Sequence, residues 1–255
     1  MNIALIIPAR LKSKRLKNKV IIPILKLPMI EHVRRRAIIS KVFKKIFIAT
    51  QDNKIIDLIK TNKGNIIKTK NIHRSGTSRV GEAVKKIRCN YVAVLFADEP
   101  LINPNDIRKF ILKIKSDKLS KIWSATAEIK NKNELNDKSV VKCVVKKNNE
   151  IQQFTRKINF KKINIKNFSI QKSVGIFCFS KKVLLKLLKI KSSNNEKKEK
   201  IEQIKFLENN FSVTAVKVGL QFPSINTNKE LNRCLQLLKS NYNQKKIYNK
   251  LLKIK

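Results

Sequence analysis

The sequence has few acidic residues, few glycines and prolines, few aromatics and no long apolar run. Its 255 residues include 17 Asp and Glu, 5 Gly, 6 Pro and 4 Cys. The cysteines (Cys89, Cys143, Cys178 and Cys234) lie far apart and none forms a C-x-x-C pair. That leaves no zinc signature and no disulfide framework. No uninterrupted apolar stretch approaches the ~18–20 residues of a membrane span. The opening MNIALIIPARLKSKR has a short apolar run with no basic region before it. No signal peptide is expected, and the protein is expected in the cytoplasm. No internal repeat is found. Hydrophobic residues still make up 42% of the chain, enough for a sizeable core, which excludes a wholly disordered polypeptide. The length suits one domain, or one domain with a small lobe.

Positive charge, by contrast, is abundant. Lys and Arg number 59, and the formal net charge is +42. Phosphate neutralisation rewards such a surface, so nucleic acid is a partner to weigh. The lysines, however, run along the whole chain with heavy use of Ile and Asn, the drift of a genome poor in G and C. Aromatics are only 6%, mostly Phe inside apolar runs. A basic nucleic-acid face clusters its cations among aromatics or in a named motif. The composition implies non-specific adhesion to polyanions at low salt, not a specific nucleic-acid partner.

The patterning of the first half alternates strand and helix. IALIIP (3–8) reads as a buried strand, 9–27 as a polar, basic loop. Pro28 opens a helix with Met29, Ile30, Val33, Ala37 and Ile38 on one face. Strands follow at 45–50, 65–70 and 91–97, with helices at 53–59, after HRSGTSR (73–79) and at 104–116. Strands this apolar belong to a parallel sheet covered on both faces. The second half changes character. Strands at 122–129, 140–145, 150–155 and 173–180 with short connections imply partly antiparallel pairing. Ser180 is expected to cap a helix, and KSSNNEKKEK (191–200) reads as a polar low-complexity loop. Helix 201–209, strand 213–218 and a helix from about 228 complete the domain, 1–240, with a smaller lobe at about 130–180. Residues 241–255 read as a basic surface helix.

In an open parallel sheet, ligands bind at the carboxyl ends of the strands. Three segments fall there. PARLKSKRLKNK (8–19) presents Arg10, Arg15 and Lys19 with Ser13 between them, the donors a triphosphate requires. A chain this basic carries Arg and Lys in every loop, so that spacing alone leaves the question open. HRSGTSR sets a Gly among hydroxyls at a helix start, suited to a phosphate or a base or to an ordinary N-cap by Ser75 or Thr77. Asp98, Glu99 and Pro100 follow a buried strand; a carboxylate there can hold Mg²⁺, or simply begin a turn.

Taken together, these segments resemble the cytidylyltransferases that make CMP-activated ulosonic acids, above all the 3-deoxy-manno-octulosonate (Kdo) branch. The resemblance rests on IIPAR-x4-R-x3-K (6–19), LPMIEHV (27–33), HRSGTSR with Val80 and Glu82, and ADEPLI (97–102). VK (141–142), FTR (154–156), VGIF (174–177) and IEQIKFLEN (201–209) follow in order. It implies a Rossmann-like nucleotide-diphospho-sugar transferase fold, α/β, with a mixed, mostly parallel sheet and a smaller, partly antiparallel dimerisation lobe. It also implies CTP, Mg²⁺, a homodimer, a sugar-acid acceptor and a place in lipopolysaccharide biosynthesis. Under it, Arg10, Ser13, Arg15 and Lys19 would hold the triphosphate, with Arg10, Lys19 and Asp98 catalytic. Ser75, Gly76, Thr77 and Arg79 would line the cytidine. Lys142, Arg156, Glu202 and Gln203 would meet the sugar acid, and Asp98 with Asn226 would hold the metal.

The chain departs from that family at four places. The family's RLPGK is RLKNK here, where Asn18 can take the left-handed backbone position. A late metal-ligand Asp falls on Asn226, an amide that brings no charge. A Gln falls on Phe96 and a His on Ser173, both at positions that the family places on the acceptor side. A sialic-type acceptor and an inactive nucleotide-binding homologue are the competing readings.

Overall fold

IALIIP forms strand β1 (Ile3–Pro8), buried along its whole length. In the computed structural model, which describes residues 1–13, 15–70, 73, 75–160, 167–219, 222 and 224–254, it sits at the centre of the first of two units. That unit is Met1–Arg108 with Gln221–Lys255; the second is Lys109–Leu220.

In the first unit, β1 is followed by a small antiparallel hairpin, β2 (Pro23–Ile24) and β3 (Leu27–Pro28). Then come α1 (Met29–Ile39), β4 (Ile46–Thr50), α2 (Asn53–Thr61), β5 (Asn65–Lys68), α3 (Gly76–Lys85) and β6 (Tyr91–Leu95). The strand order β6-β1-β4-β5 is parallel throughout, with Ile6 registered against Phe47 on one side and Val94 on the other. The chain winds from β1 to β5 in one direction, then returns to place β6 on the far side of β1. That reversal opens a crevice beyond the carboxyl ends of β1 and β6.

Helix α4 (Pro104–Ser116) leads into the second unit: β7 (Ile122–Glu128), α5 (Lys132–Asn136), β8 (Lys142–Lys146), β9 (Ile151–Thr155), β10 (Phe168–Ser180), α6 (Lys181–Leu187), α7 (Asn194–Glu199), α8 (Ile204–Glu208) and β11 (Thr214–Lys217). Strand β10 is antiparallel to β7 and β8, β8 is antiparallel to β9, and β11 runs parallel to β7. Buried Trp123, Phe179 and Phe206 are part of its core, Phe206 meeting Phe179 edge-on at 5.9 Å. The expected mixed α/β fold is therefore present. Three local expectations are corrected. The stretch 9–27, read as a loop, carries β2 and the start of β3, which pair as a hairpin. KSSNNEKKEK contains helix α7, because the Ser193 hydroxyl accepts the Glu196 N–H at 3.0 Å and Asn195 donates to Glu208 at 2.7 Å. Ser180, expected as a cap, makes no side-chain cap bond.

The chain closes in the first unit with α9 (Asn228–Ser240) and α10 (Tyr242–Leu252). Thr227 and Glu230 start α9 with a reciprocal capping box. Helix α10 shows two faces: Lys245, Lys246 and Lys250 are exposed, whereas Gln244, Tyr248 and Leu251 are buried. The buried face explains why α1 conceals polar residues besides its apolar stripe. Glu31 accepts from Arg34 and Arg35, Arg35 donates to the Leu251 carbonyl at 2.9 Å, and His32 stacks on Tyr248. Among the described residues, no helix is long and apolar enough to cross a membrane.

Candidate active site

The loop after β1 turns on two anchors. The Leu11 N–H donates to Asp52 Oδ2 at 2.8 Å, and the Leu16 side chain is buried. Between and beyond these anchors Arg10 and Arg15 are exposed, while Ser13 and Lys19 are half-buried. Asn18 adopts φ 54°, ψ 26°, the left-handed conformation its short amide tolerates. This bend directs Lys19 back over the strand ends, where its Nζ lies 2.8 Å from Asp98 Oδ2 and 3.1 Å from Asn226 Oδ1. Arg15 donates to the same Asn226 oxygen at 2.8 Å. Three segments distant in sequence thus converge on a cluster of alternating charge and dipole.

The backbone beneath Asp98 is held as firmly. Its carbonyl accepts the Ile225 N–H at 2.9 Å, and the Ser224 hydroxyl donates to the Glu99 carboxylate at 2.5 Å. Asn226 is oriented by Glu230, whose Oε2 accepts the Asn226 N–H at 2.5 Å. Asp98 and Asn226 present hard oxygen donors to one ammonium group, and such a donor set fits Mg²⁺. Among the described residues no three His, Cys, Asp or Glu side chains gather to form a complete metal cage. The remaining ligands would come from substrate phosphates and water.

At the α3 start, the N-cap reading of Ser75 is the one the structure bears out. The Ser75 hydroxyl is engaged as N-cap, accepting from the Ser78 N–H at 3.0 Å, and Thr77 is buried. Arg79 turns inward, donating to Thr69 Oγ1 at 2.5 Å and to the Lys70 carbonyl. Burial lowers its pKa below the ordinary arginine value; Asp52 pulls it up and the charge of Arg10 pushes it down. Gly76 has a steric reason: a Cβ there would lie 2.9 Å from the Phe96 ring and 3.3 Å from Pro8. Arg74 lies outside the described residues. Sequence reasoning missed one cluster here. His73 Nδ1 meets Ser78 Oγ at 2.8 Å and its Nε2 meets Glu82 Oε2 at 2.7 Å. Burial raises the Glu82 pKa, but hydrogen bonds from the Lys70 N–H, His73 and Lys86 outweigh it and bring the value to about 2. The spacing of His73, Ser78 and Glu82 across a helix start was the available signal.

Lys142, Arg156, Glu202 and Gln203, expected to meet the sugar acid, lie in the second unit, and Phe96 lies in the first. Lys142 is fully buried on β8, its Nζ donating to the Asp137 carbonyl at 2.5 Å and the Arg156 carbonyl at 2.9 Å. Burial lowers its pKa, Asp137 opposes that shift and Arg156 reinforces it. The Arg156 guanidinium donates to the carbonyls of Glu199, Lys138 and Ser139 at 2.8–3.0 Å. Glu202 stands 3.8 Å from Lys205, and Gln203 is buried ahead of α8. Ser173 begins an irregular stretch of β10.

A family model described as cytidylyltransferase matches residues 4–218. The chain belongs to the cytidylyltransferase family. The 8-amino-3,8-dideoxy-manno-octulosonate cytidylyltransferase of Shewanella pealeana is 30% identical to it over 240 residues, 92% of this chain and 97% of that protein. The 3-deoxy-manno-octulosonate cytidylyltransferase of Chlorobium limicola is 28% identical over 244 residues, 94% and 98% of the two chains. Among solved structures, a CMP:2-keto-3-deoxy-manno-octonic acid synthetase complexed with CTP superposes with a TM-score of 0.87 at 27% identity, covering 94% of this chain and 99% of that one. The family resemblance read from the motifs therefore holds over nearly the whole length of this cytidylyltransferase, and its mixed α/β fold is that of a CMP-sugar-acid synthetase.

Proposed function

We propose that this cytidylyltransferase transfers CMP from CTP to the anomeric hydroxyl of an eight-carbon 3-deoxy-2-ulosonic acid, Kdo or its 8-amino relative, and releases pyrophosphate. The observation that carries the reading is the convergence of Arg15, Lys19, Asp98 and Asn226 at the carboxyl ends of β1 and β6. The relatives named above supply the acceptor class.

In this reading Arg10, Arg15 and Lys19 bind the triphosphate and spread its charge, with Ser13 assisting. The α3 start, with Ser75, Gly76, Thr77 and Arg79, shapes the cytidine side; its capped, inward-bonded side chains act by setting the wall. The sugar's anomeric oxygen forms a bond to the α-phosphorus as the bond from that phosphorus to the pyrophosphate oxygen breaks. The hydroxyl proton leaves to solvent. The protein's part is positioning and charge neutralisation. Asp98 and Asn226 would hold Mg²⁺, which supplies neutralisation of the phosphate oxygens when bound. The family resemblance assigns Lys142, Arg156, Glu202 and Gln203 to the sugar acid, and Arg156 would exchange the backbone carbonyls it binds for the acid's carboxylate. A homodimer and a cytoplasmic location complete the proposal; the family resemblance supports the first, and sedimentation of the purified protein tests it.

Pyrophosphate release with CTP and Mg²⁺ is to be measured across a panel of ulosonic acids, including Kdo and 8-amino-3,8-dideoxy-manno-octulosonate. Turnover with one of these two is the expected result. Absence of turnover with every acid overturns the proposal.

A further inference from the structure

We propose that Gln244, on the C-terminal helix α10, is a positioning residue for Asp98. The inference rests on the reading of Asp98 as the metal-facing carboxylate. Gln244 lies outside the stretch matched by the family model, which ends at residue 218.

The argument begins with the turn after β6. Leu101 and Ile102 are buried, so their carbonyls require donors from within the protein. Gln244 Nε2 donates to the Leu101 carbonyl at 2.9 Å, and Arg36 Nη1 donates to the Ile102 carbonyl at 3.0 Å. The two donors are themselves joined, because Arg36 Nη2 donates to Gln244 Oε1 at 2.8 Å. Both side chains are almost wholly buried, Arg36 at 0% and Gln244 at 2% exposure. An amide can accept from a guanidinium through its oxygen and donate to a carbonyl through its nitrogen at once. A carboxylate only accepts and an ammonium only donates.

The turn these donors hold is continuous with Asp98. The Ile102 N–H closes it on the Glu99 carbonyl at 3.2 Å, and the Asp98 carbonyl accepts from Ile225. The apolar contacts follow the same route. Leu16 of the basic loop, Leu101 of the acidic turn and Ile225 beside Asn226 belong to one buried cluster with Tyr248 and Leu251 of α10. The helix pair α9–α10 is thus the common floor under the three segments that converge at Lys19, and Gln244 is its polar contact with the acidic turn. Displacing the turn shifts the Asp98 carboxylate relative to Asn226, and a cation with near-octahedral demands tolerates such a shift poorly.

The test uses the full chain carrying Gln244→Glu. This variant keeps an oxygen for Arg36 and removes the N–H offered to Leu101. Two quantities are read. One is the Mg²⁺ concentration giving half-maximal pyrophosphate release, separated from the KM for CTP. The other is hydrogen exchange at the Ile225 amide, from overlapping peptides that begin before residue 223, with β1 as the internal reference. We expect the Mg²⁺ requirement to rise about tenfold and the Ile225 amide to exchange at least tenfold faster, with β1 unchanged. If Gln244→Glu fails to fold, Gln244→Met is measured in its place. Unchanged Ile225 exchange overturns the proposal. Faster exchange with an unaltered Mg²⁺ requirement overturns it too, since the turn would then move without consequence for the cation. Failure of the underlying reading is recognised separately, in the parent protein: turnover there would ignore Mg²⁺ and survive Asp98→Asn.

Discussion

Lys19 Nζ and Asp98 Oδ2 are 2.8 Å apart, with the two side chains 13% and 25% exposed. One contact therefore joins the loop after β1 to the turn after β6. The same ammonium reaches Asn226, so a single cation satisfies both oxygens that Mg²⁺ would use. Under the proposed function, a nucleotide bound with its metal would displace Lys19 from these oxygens and leave its charge for the phosphates.

Asp98→Asn is expected to cut turnover ~100–1,000-fold while the protein stays folded, the cost typical of removing one charge-stabilising group. Lys19→Met should do the same. A partly exposed ion pair contributes at most about 1 kcal/mol to stability, so melting temperatures should shift by only about 2–4 °C. Pyrophosphate release and thermal melts distinguish the two effects. Near-normal rates in Asp98→Asn would remove Asp98 from the chemistry.

Asn226→Asp adds a carboxylate beside Asp98. The Mg²⁺ concentration for half-maximal rate should fall about fivefold, close to ~1 kcal/mol of added attraction in a solvent-like dielectric. A titration of rate against Mg²⁺ at saturating CTP reads this directly. A rise in the requirement would mean that Arg15 and Lys19 capture the new charge and close the site.

Glu82 predicts an acid-side signature. Its folded pKa of about 2 lies below the ordinary 4.5. The folded state therefore binds fewer protons than the unfolded state between those values. The stabilisation is complete above pH 4.5 and is lost as pH falls towards 2. Denaturation of the parent protein and of Glu82→Gln, compared at pH 6 and pH 3, should show the parent losing more stability. Equal losses would mean the contacts with His73 and the Lys70 N–H carry no net stabilisation.

Gly76→Ala forces a methyl against Phe96 at 2.9 Å. Overpacking of this kind costs about 1–3 kcal/mol. The double variant Gly76→Ala with Phe96→Ala should recover part of that loss, and a double-mutant cycle by urea denaturation measures the coupling. Additive effects would show that the ring swings aside freely.

Some of this was legible from local pattern. The uninterrupted apolar runs of β1 and β6 mark strands buried on both faces. The order of the basic loop, SGT and ADEP segments points to the family from residue types alone. Set against the family's RLPGK, RLKNK anticipates the left-handed turn at Asn18. The partners of charged side chains were less accessible. Arg79 looks like a ligand-facing cation in HRSGTSR, yet it bonds inward to Thr69 and Lys70. KSSNNEKKEK looks like a loop, yet Ser193 caps a helix in it.

The sequence by itself determined the long sheet strands, the parallel half of the fold, the family and the residues available for chemistry, because those depend on periodicity and residue type within short windows; the short β2–β3 hairpin escaped it. Tertiary structure alone decided that Lys19 spans Asp98 and Asn226, that Lys142 and Arg156 end on backbone carbonyls, and that α10 reaches the acidic turn through Gln244. A long polar side chain binds whichever buried donor or acceptor folding brings within about 3 Å, and that neighbour can be two hundred residues away along the chain.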